Sequence, residues 1–312
     1  MKLQLLNLIR LKKINKIERK ITFDEYGRMF INNELFFPLG LCVAYGHENE
    51  LKEINRTHLN FILLPYYESD KNQILKTLDT IHTTQNGRLK VLYYIRNFKF
   101  EINIDKCEIS NLEEGYKEIT DTINRFKNHP SIMAWFVNDE LPECFNEYIR
   151  NKTLMIHELD PDHPTVSTET TRKHSQSFIN TTDVYGIDCY PIGVNNSTEN
   201  VNCYRFYNLV YNDVLKSKPM WPVGQIYDLI GILSKGNITR PPTLQEMKTM
   251  SWQAFVAGAK GLFFYSTIEL YALNKVTPFE TRWKEIIELT DQIWEYKDII
   301  LSIEKVHKIE YD

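Results

Sequence analysis

Short apolar runs alternate along this chain with longer segments in which apolar residues recur every three or four positions. Ile132 to Val137 is unbroken, with His129-Pro130 before it and Asn138-Asp139-Glu140 after it. An apolar run between turn signals reads as a buried strand. Lys71 to Thr84 carries Ile74, Leu75, Leu78 and Ile81 at helical spacing and reads as an amphipathic helix. Strands are expected at Leu35 to Tyr45, Asn60 to Tyr67, Leu89 to Ile95, Ile132 to Val137, Pro164 to Thr168, Val184 to Tyr190, Met220 to Ile226 and Gly261 to Ser266. Helices are expected after most of them, except that Lys173 to Asn180 has room for only a turn or two.

Alternating strands and helices imply a parallel sheet, and eight such units imply closure into a barrel. The expected class is therefore α/β, a TIM (β/α)8 barrel. An open doubly wound sheet is the alternative, but no glycine-rich phosphate loop follows the first strand. Upstream, two alternating runs flank Glu25-Tyr26-Gly27 and a second turn falls at Asn32-Asn33, which predicts a short N-terminal β-hairpin. The expected organisation is a lead and hairpin over 1–34, the barrel over 35–302 and a tail over 303–312.

The 312 residues suffice for one large core. A net charge of −4 without a basic stripe gives no reason to expect a nucleic-acid partner. No run is long and apolar enough to span a membrane. The basic start, Met1 to Lys20, is a poor signal peptide, yet sequons at Asn55, Asn151, Asn180, Asn195, Asn196 and Asn237 keep secretion open, so location stays unassigned. The five cysteines have no C-x-x-C spacing and read as free buried thiols rather than a disulfide framework or zinc site. No metal or other cofactor is expected.

In an α/β barrel the site lies at the C-terminal ends of the strands. Those ends offer Tyr45, His47, Tyr66, Glu68, Arg96, Asn97, Asn138, Asp139, Glu140, Glu169, Asp188, Tyr190, Gln225, Tyr227, Tyr265 and Glu269. Carboxylates, amides and tyrosines suit a polyhydroxylated ligand, with hydroxyls taking the polar groups and C–H faces the rings. An acidic residue after a strand is also commonly just a helix cap, and a tyrosine at a barrel rim just packing. His47 reads as a helix-start residue.

The stretch HPSIMAWFVNDELPE resembles the fourth-strand motif of (β/α)8-barrel glycoside hydrolases. The resemblance continues in GRMFINNELFFPLGL, LDPDHPT, DVYGIDCYPI, KPMWPVGQIYD and RPPTLQEMKTMSWQAFVAGAKGLFFYS. It implies that Glu140 is the general acid that cleaves an O-glycosidic bond, and that an oligosaccharide or glycoside is the ligand. In that family a β-sandwich often precedes the barrel, and the nucleophile is a Glu at the seventh strand's end. Here Gln225 stands there, and Gln cannot form a glycosyl ester. Asp139 replaces the acid's usual Asn neighbour and would raise the Glu140 pKa by like-charge repulsion. The second carboxylate is then Asp188 or Glu169, and Asn138, Asp139, Tyr190, Gln225, Tyr227, Tyr265 and Arg96 are candidate sugar contacts. A glycosidase scaffold that binds sugar without turnover is the alternative. An unrelated metal-dependent barrel enzyme is a third, and the strand ends are short of the His ligands it needs.

Overall fold

The computed structural model describes residues 20–64, 70–95, 100–170, 172–192, 202–214, 216–228, 240–272 and 278–304. Three short antiparallel strands come first: β1 (Ile21–Phe23), β2 (Met29–Ile31) and β3 (Glu34–Phe36). Asn32 and Asn33, both at positive φ, make the second turn, since a short polar side chain tolerates the left-handed region. The expected hairpin is thus a three-stranded sheet. The third strand takes residues that the sequence pattern gives to the start of the barrel.

The barrel strands are β4 (Leu39–Cys42), β5 (Phe61–Leu64), β6 (Lys90–Tyr94), β9 (Ile132–Asp139), β10 (Thr165–Glu169), β11 (Val184–Cys189), β12 (Met220–Gln225) and β13 (Leu262–Tyr265). All pair in parallel, and β13 returns to β4, which closes the ring. Between β6 and β9 lies a small exposed hairpin, β7 (Glu101–Asn103) and β8 (Glu108–Ser110), which the periodicity of the sequence does not reveal.

Helices on the outside are α1 (Glu48–Ile54), α2 (Lys71–Thr83), α3 (Leu112–Phe126), α4 (Asn146–Leu159), α5 (Cys203–Asp213), α6 (Leu244–Val256) and α8 (Phe279–Glu295). The short α7 (Thr267–Ala272) follows β13, and α9 (Lys297–Ile300) ends the described fold. After β10 only a 3₁₀ segment, Arg172–Phe178, fills the helix position, as the short spacing there requires. Ile74, Leu78 and Ile81 form the buried face of α2, and Thr243 opens α6 with a reciprocal capping box to Glu246.

Two apolar layers hold this together. The larger lies between strands and helices. The smaller fills the barrel, with Phe61, Leu63, Leu92, Phe136, Val166, Trp221, Val223 and Phe263. Ile21 and Met29 join it from the N-terminal sheet, and Phe23 meets Trp221 edge-on at 6.3 Å. The sheet therefore closes the bottom of the barrel and leaves the opposite mouth open. Gly40 is required inside, since a Cβ there would come within 2.3 Å of the Phe61 ring.

The cysteine expectation is corrected at one pair. Cys107, on the turn of the β7–β8 hairpin, forms a disulfide with Cys144, 37 residues later. Both lie on exposed segments that only the fold brings together, so their spacing carries no signal. Cys42, Cys189 and Cys203 are free. Among the described residues no helix is long and apolar enough to cross a membrane, and no group of three or more His, Cys, Asp or Glu could hold a metal. The described sequon residues Asn55, Asn151 and Asn180 are all exposed.

Candidate active site

The mouth of the barrel holds a cavity of about 300 Å³, at the small end of the range for ligand pockets. Leu63, Phe136, Val223 and Phe263 form its floor. Asp139, Glu140, Thr168, Asp188, Tyr190, Tyr227 and Tyr265 form its polar and aromatic wall.

A register shift on β9 decides which side chains reach this cavity. Val166 of β10 pairs with Phe136, but Ser167 pairs with Asn138, so Val137 has no partner on that side. Such a bulge reverses the in–out alternation of the residues beyond it. Phe136 points inward and Asp139 lines the cavity. Asn138 is buried instead, and its amide donates to Glu169 Oε1 at 2.7 Å while its Oδ1 accepts from Leu141 N. Asn138 and Glu169 thus stand behind the wall. Thr168, the neighbour of Glu169, faces in, and its hydroxyl donates to Asp139 Oδ1 at 3.1 Å.

Glu140 follows directly, with its backbone N–H on Thr168 O at 3.0 Å and its φ at 57°. A left-handed glutamate costs on the order of 1–2 kcal/mol, and such strain gathers where a side chain must be aimed. Glu140 and Asp188 both line the cavity, near enough that each carboxyl group shifts the titration of the other. Asp188 Oδ2 accepts from the Tyr190 hydroxyl at 2.9 Å. Loss of water around Glu140 pushes its pKa up, the neighbouring Asp188 acts the other way, and the Asp139 charge adds to the rise. Burial, and next the Glu140 carboxyl, hold Asp188 well above the carboxylate range.

The tyrosines pack on one another beside this pair. Tyr190 and Tyr227 are 5.4 Å apart edge-to-face, and Tyr227 and Tyr265 are 5.3 Å apart. The Tyr227 hydroxyl is buried and has no partner among the described residues. It is a ready donor for a ligand.

Gln225 does not line the cavity. Its Oε1 accepts from Ile192 N at 3.0 Å, and its Nε2 donates to Ile192 O at 2.7 Å and Tyr227 O at 3.1 Å. The amide is a clasp between β12 and the segment after β11, and it is 1% exposed. Arg96, Tyr66, Glu68 and Asn97 lie outside the described residues. His47 is the N-cap residue of α1 and stacks on the exposed Tyr45 at 5.2 Å. Sequence reasoning passed over Cys42, Tyr94, Thr168 and Ile268. For the first three, strand parity was the available signal.

Glu169 gives a stability test. Burial first, then the Glu140 charge, raises its pKa to about 9, against roughly 4.3 in an unfolded chain. Its folded form prefers the proton, so its contribution to stability is full below about pH 4 and is lost as pH rises to about 9. Glu169→Gln keeps the acceptor for Asn138 and removes that loss. In urea titrations the variant is expected to match the wild type near pH 4.5 and to be the more stable at pH 8.

Residues 82–206 match the family model for the TIM barrel domain of glycosyl hydrolases family 2. No curated protein matches the chain. Solved structures similar to it include a β-glucuronidase from Parabacteroides merdae, at 14% identity and TM-score 0.54, covering 80% of this chain and 34% of that one. A Ruminococcus gnavus β-glucuronidase in complex with D-glucuronic acid is similar at 13% identity and TM-score 0.56, covering 80% and 45%. A structure described as a glycoside hydrolase is similar at 17% identity and TM-score 0.59, covering 80% and 65%. The chain thus spans about a third of the first of these and less than half of the second. At such identities the structures speak for the fold alone. The closed barrel and the family match over residues 82–206 support a place in the (β/α)8-barrel glycoside hydrolase superfamily.

Proposed function

We propose that the chain binds a glycoside in the barrel mouth and protonates the departing glycosidic oxygen from Glu140, with Asp188 as the second carboxyl group. The observation that carries this reading is that Glu140 and Asp188 line one cavity, near enough that each shifts the titration of the other. A general acid must keep its proton near working pH, and the raised pKa of Glu140 serves that. The two carboxyl groups stand ~5–5.5 Å apart in retaining glycosidases and ~6.5–9.5 Å apart in inverting ones. Glu140 gives its proton to the leaving oxygen. Asp188, once it has lost its own proton, either bonds to the anomeric carbon as the bond to the leaving oxygen breaks or takes a proton from the attacking water.

Tyr190, Tyr227 and Tyr265 offer ring faces and hydroxyls to the sugar, and Asp139 accepts from a hydroxyl. The described lining contains three carboxyl groups and no lysine or arginine, which favours a neutral glycoside over a uronide. A second reading, sugar binding without turnover, draws support from Gln225, whose amide occupies the seventh-strand position in backbone hydrogen bonds.

A panel of aryl glycosides, neutral and uronide, assayed alongside calorimetric binding of the parent sugars, tests both. Turnover of a neutral glycoside is expected, falling on the alkaline side as Glu140 loses its proton. Asp139→Asn removes a charge that raises the Glu140 pKa, so that alkaline limb should move to lower pH. Binding without turnover selects the second reading, and neither binding nor turnover overturns both.

A further inference from the structure

The Glu140 segment rests on a lysine that the site chemistry does not use. Lys152, on α4, is 1% exposed. Its Nζ donates to Val137 O at 2.8 Å and to Ile95 O at 3.0 Å. Among the described residues it has no carboxylate partner. Burying an ammonium without a counter-charge is costly, and burial pushes its pKa down to about 7. For packing alone, a methionine or leucine would fill the same space without that cost.

The two carbonyls explain the choice. Val137 is the residue that the register shift leaves unpaired toward β10. Ile95 lies one residue beyond the last ladder pair of β6, Tyr94 with Phe136. Buried carbonyls left without a donor cost about 1–3 kcal/mol each, and a hydrophobic side chain at 152 would leave both so. The bulge is also what turns Asp139 inward and Asn138 outward. A straight β9 would reverse both, because a one-residue slip flips every side chain.

We infer that Lys152 is a positioning residue: by binding the Val137 and Ile95 carbonyls it holds the β9 bulge that presents Asp139 and Glu140 to the cavity. Its role as an aid to turnover rests on the function proposed above, but its hold on Glu140 does not.

The experiment reads the two apart. In protein labelled with ¹³C at glutamate Cδ, the Glu140 resonance is assigned by its absence in Glu140→Gln and followed against pH. Lys152→Met and Lys152→Gln are compared with the wild type, the second keeping one amide donor. Loss of a nearby positive charge alone would raise the Glu140 midpoint. Loss of position frees Glu140 from Asp139 and from its partly dry setting, and lowers it. The expected result is a midpoint lower by half a pH unit or more in Lys152→Met, a smaller drop in Lys152→Gln, and near-native circular dichroism in both. Where aryl glycosides are turned over, kcat should fall tenfold or more in Lys152→Met with KM within about twofold. An unchanged or raised midpoint in folded Lys152→Met overturns the assignment. Failure of both variants to fold also overturns it, since Lys152 would then determine the fold rather than the site. A wild type without turnover leaves the titration intact and counts only against the proposed function.

Discussion

Glu140→Gln is expected to lower kcat/KM on a glycoside with a poor leaving group by roughly 10²–10⁴-fold, the usual contribution of a general acid. The amide matches the carboxyl in size, so the wall of the cavity keeps its shape. What it lacks is a proton to give to the departing oxygen. The loss should therefore shrink on nitrophenyl glycosides, whose leaving group departs as an anion. Thermal unfolding should change little, because Glu140 is open to the cavity rather than part of the core. The backbone at 140 is left-handed in either case. A Glu140→Gln enzyme as active as wild type on alkyl glycosides would falsify the proton-donor role.

Gln225→Glu is expected to destabilise the fold rather than to restore a catalytic carboxylate. In glycosidases of this superfamily a Glu at this strand end is the usual nucleophile, which makes the reversion an obvious experiment. Here, though, Nε2 of Gln225 donates to the carbonyls of both Ile192 and Tyr227. A carboxylate has no donor for either and would face two buried carbonyl oxygens. Unsatisfied buried groups cost about 1–3 kcal/mol and a stranded charge more, so a loss of roughly 3–5 kcal/mol is expected at pH 8. The deficit should narrow as pH falls, because the introduced carboxyl, once protonated, can give one hydrogen bond. The sign follows from linkage: the folded-state pKa would lie above the unfolded value, so stability is lost as pH rises through it. Urea midpoints at pH 5 and pH 8 measure this directly. Equal stability at pH 8, or turnover gained by the variant, would count against the clasp.

The barrel was legible because its signals are local. Ile132 to Val137 is apolar and bounded by turn residues, and Ile74, Leu78 and Ile81 mark one face of a helix. Closure followed from counting the repeats. The hairpin at 101–110 was not legible, because three-residue strands with exposed side chains carry little periodicity. At the candidate site, strand ends identified the residues but not their directions. Asn138, Asp139 and Glu140 are adjacent in sequence, and the bulge at Val137 sends the first away from the cavity and the next two toward it. A bulge is a relation between two strands, and neither strand announces it alone. Gln225 is a similar case. Its partners are main-chain groups of Ile192 and Tyr227, which any sequence could supply. Nothing in the sequence marks Lys152, since only its burial in the fold sets it apart.

The disulfide between Cys107 and Cys144 makes the history of a sample part of its biochemistry. Cys144 lies four residues beyond Glu140, and Cys107 sits on the hairpin that follows β6. Closing a 37-residue loop is worth about 3–4 kcal/mol in the chain-entropy account. Both sulfurs lie on exposed segments, within reach of ordinary reductants. Dithiothreitol added to protect Cys42, Cys189 and Cys203 would also cut this link. Expression in a reducing host compartment would keep it from forming. Two laboratories preparing the same chain, one with reductant and one without, would be assaying mouths of different rigidity, and a disagreement between them over activity should first be traced to the buffer.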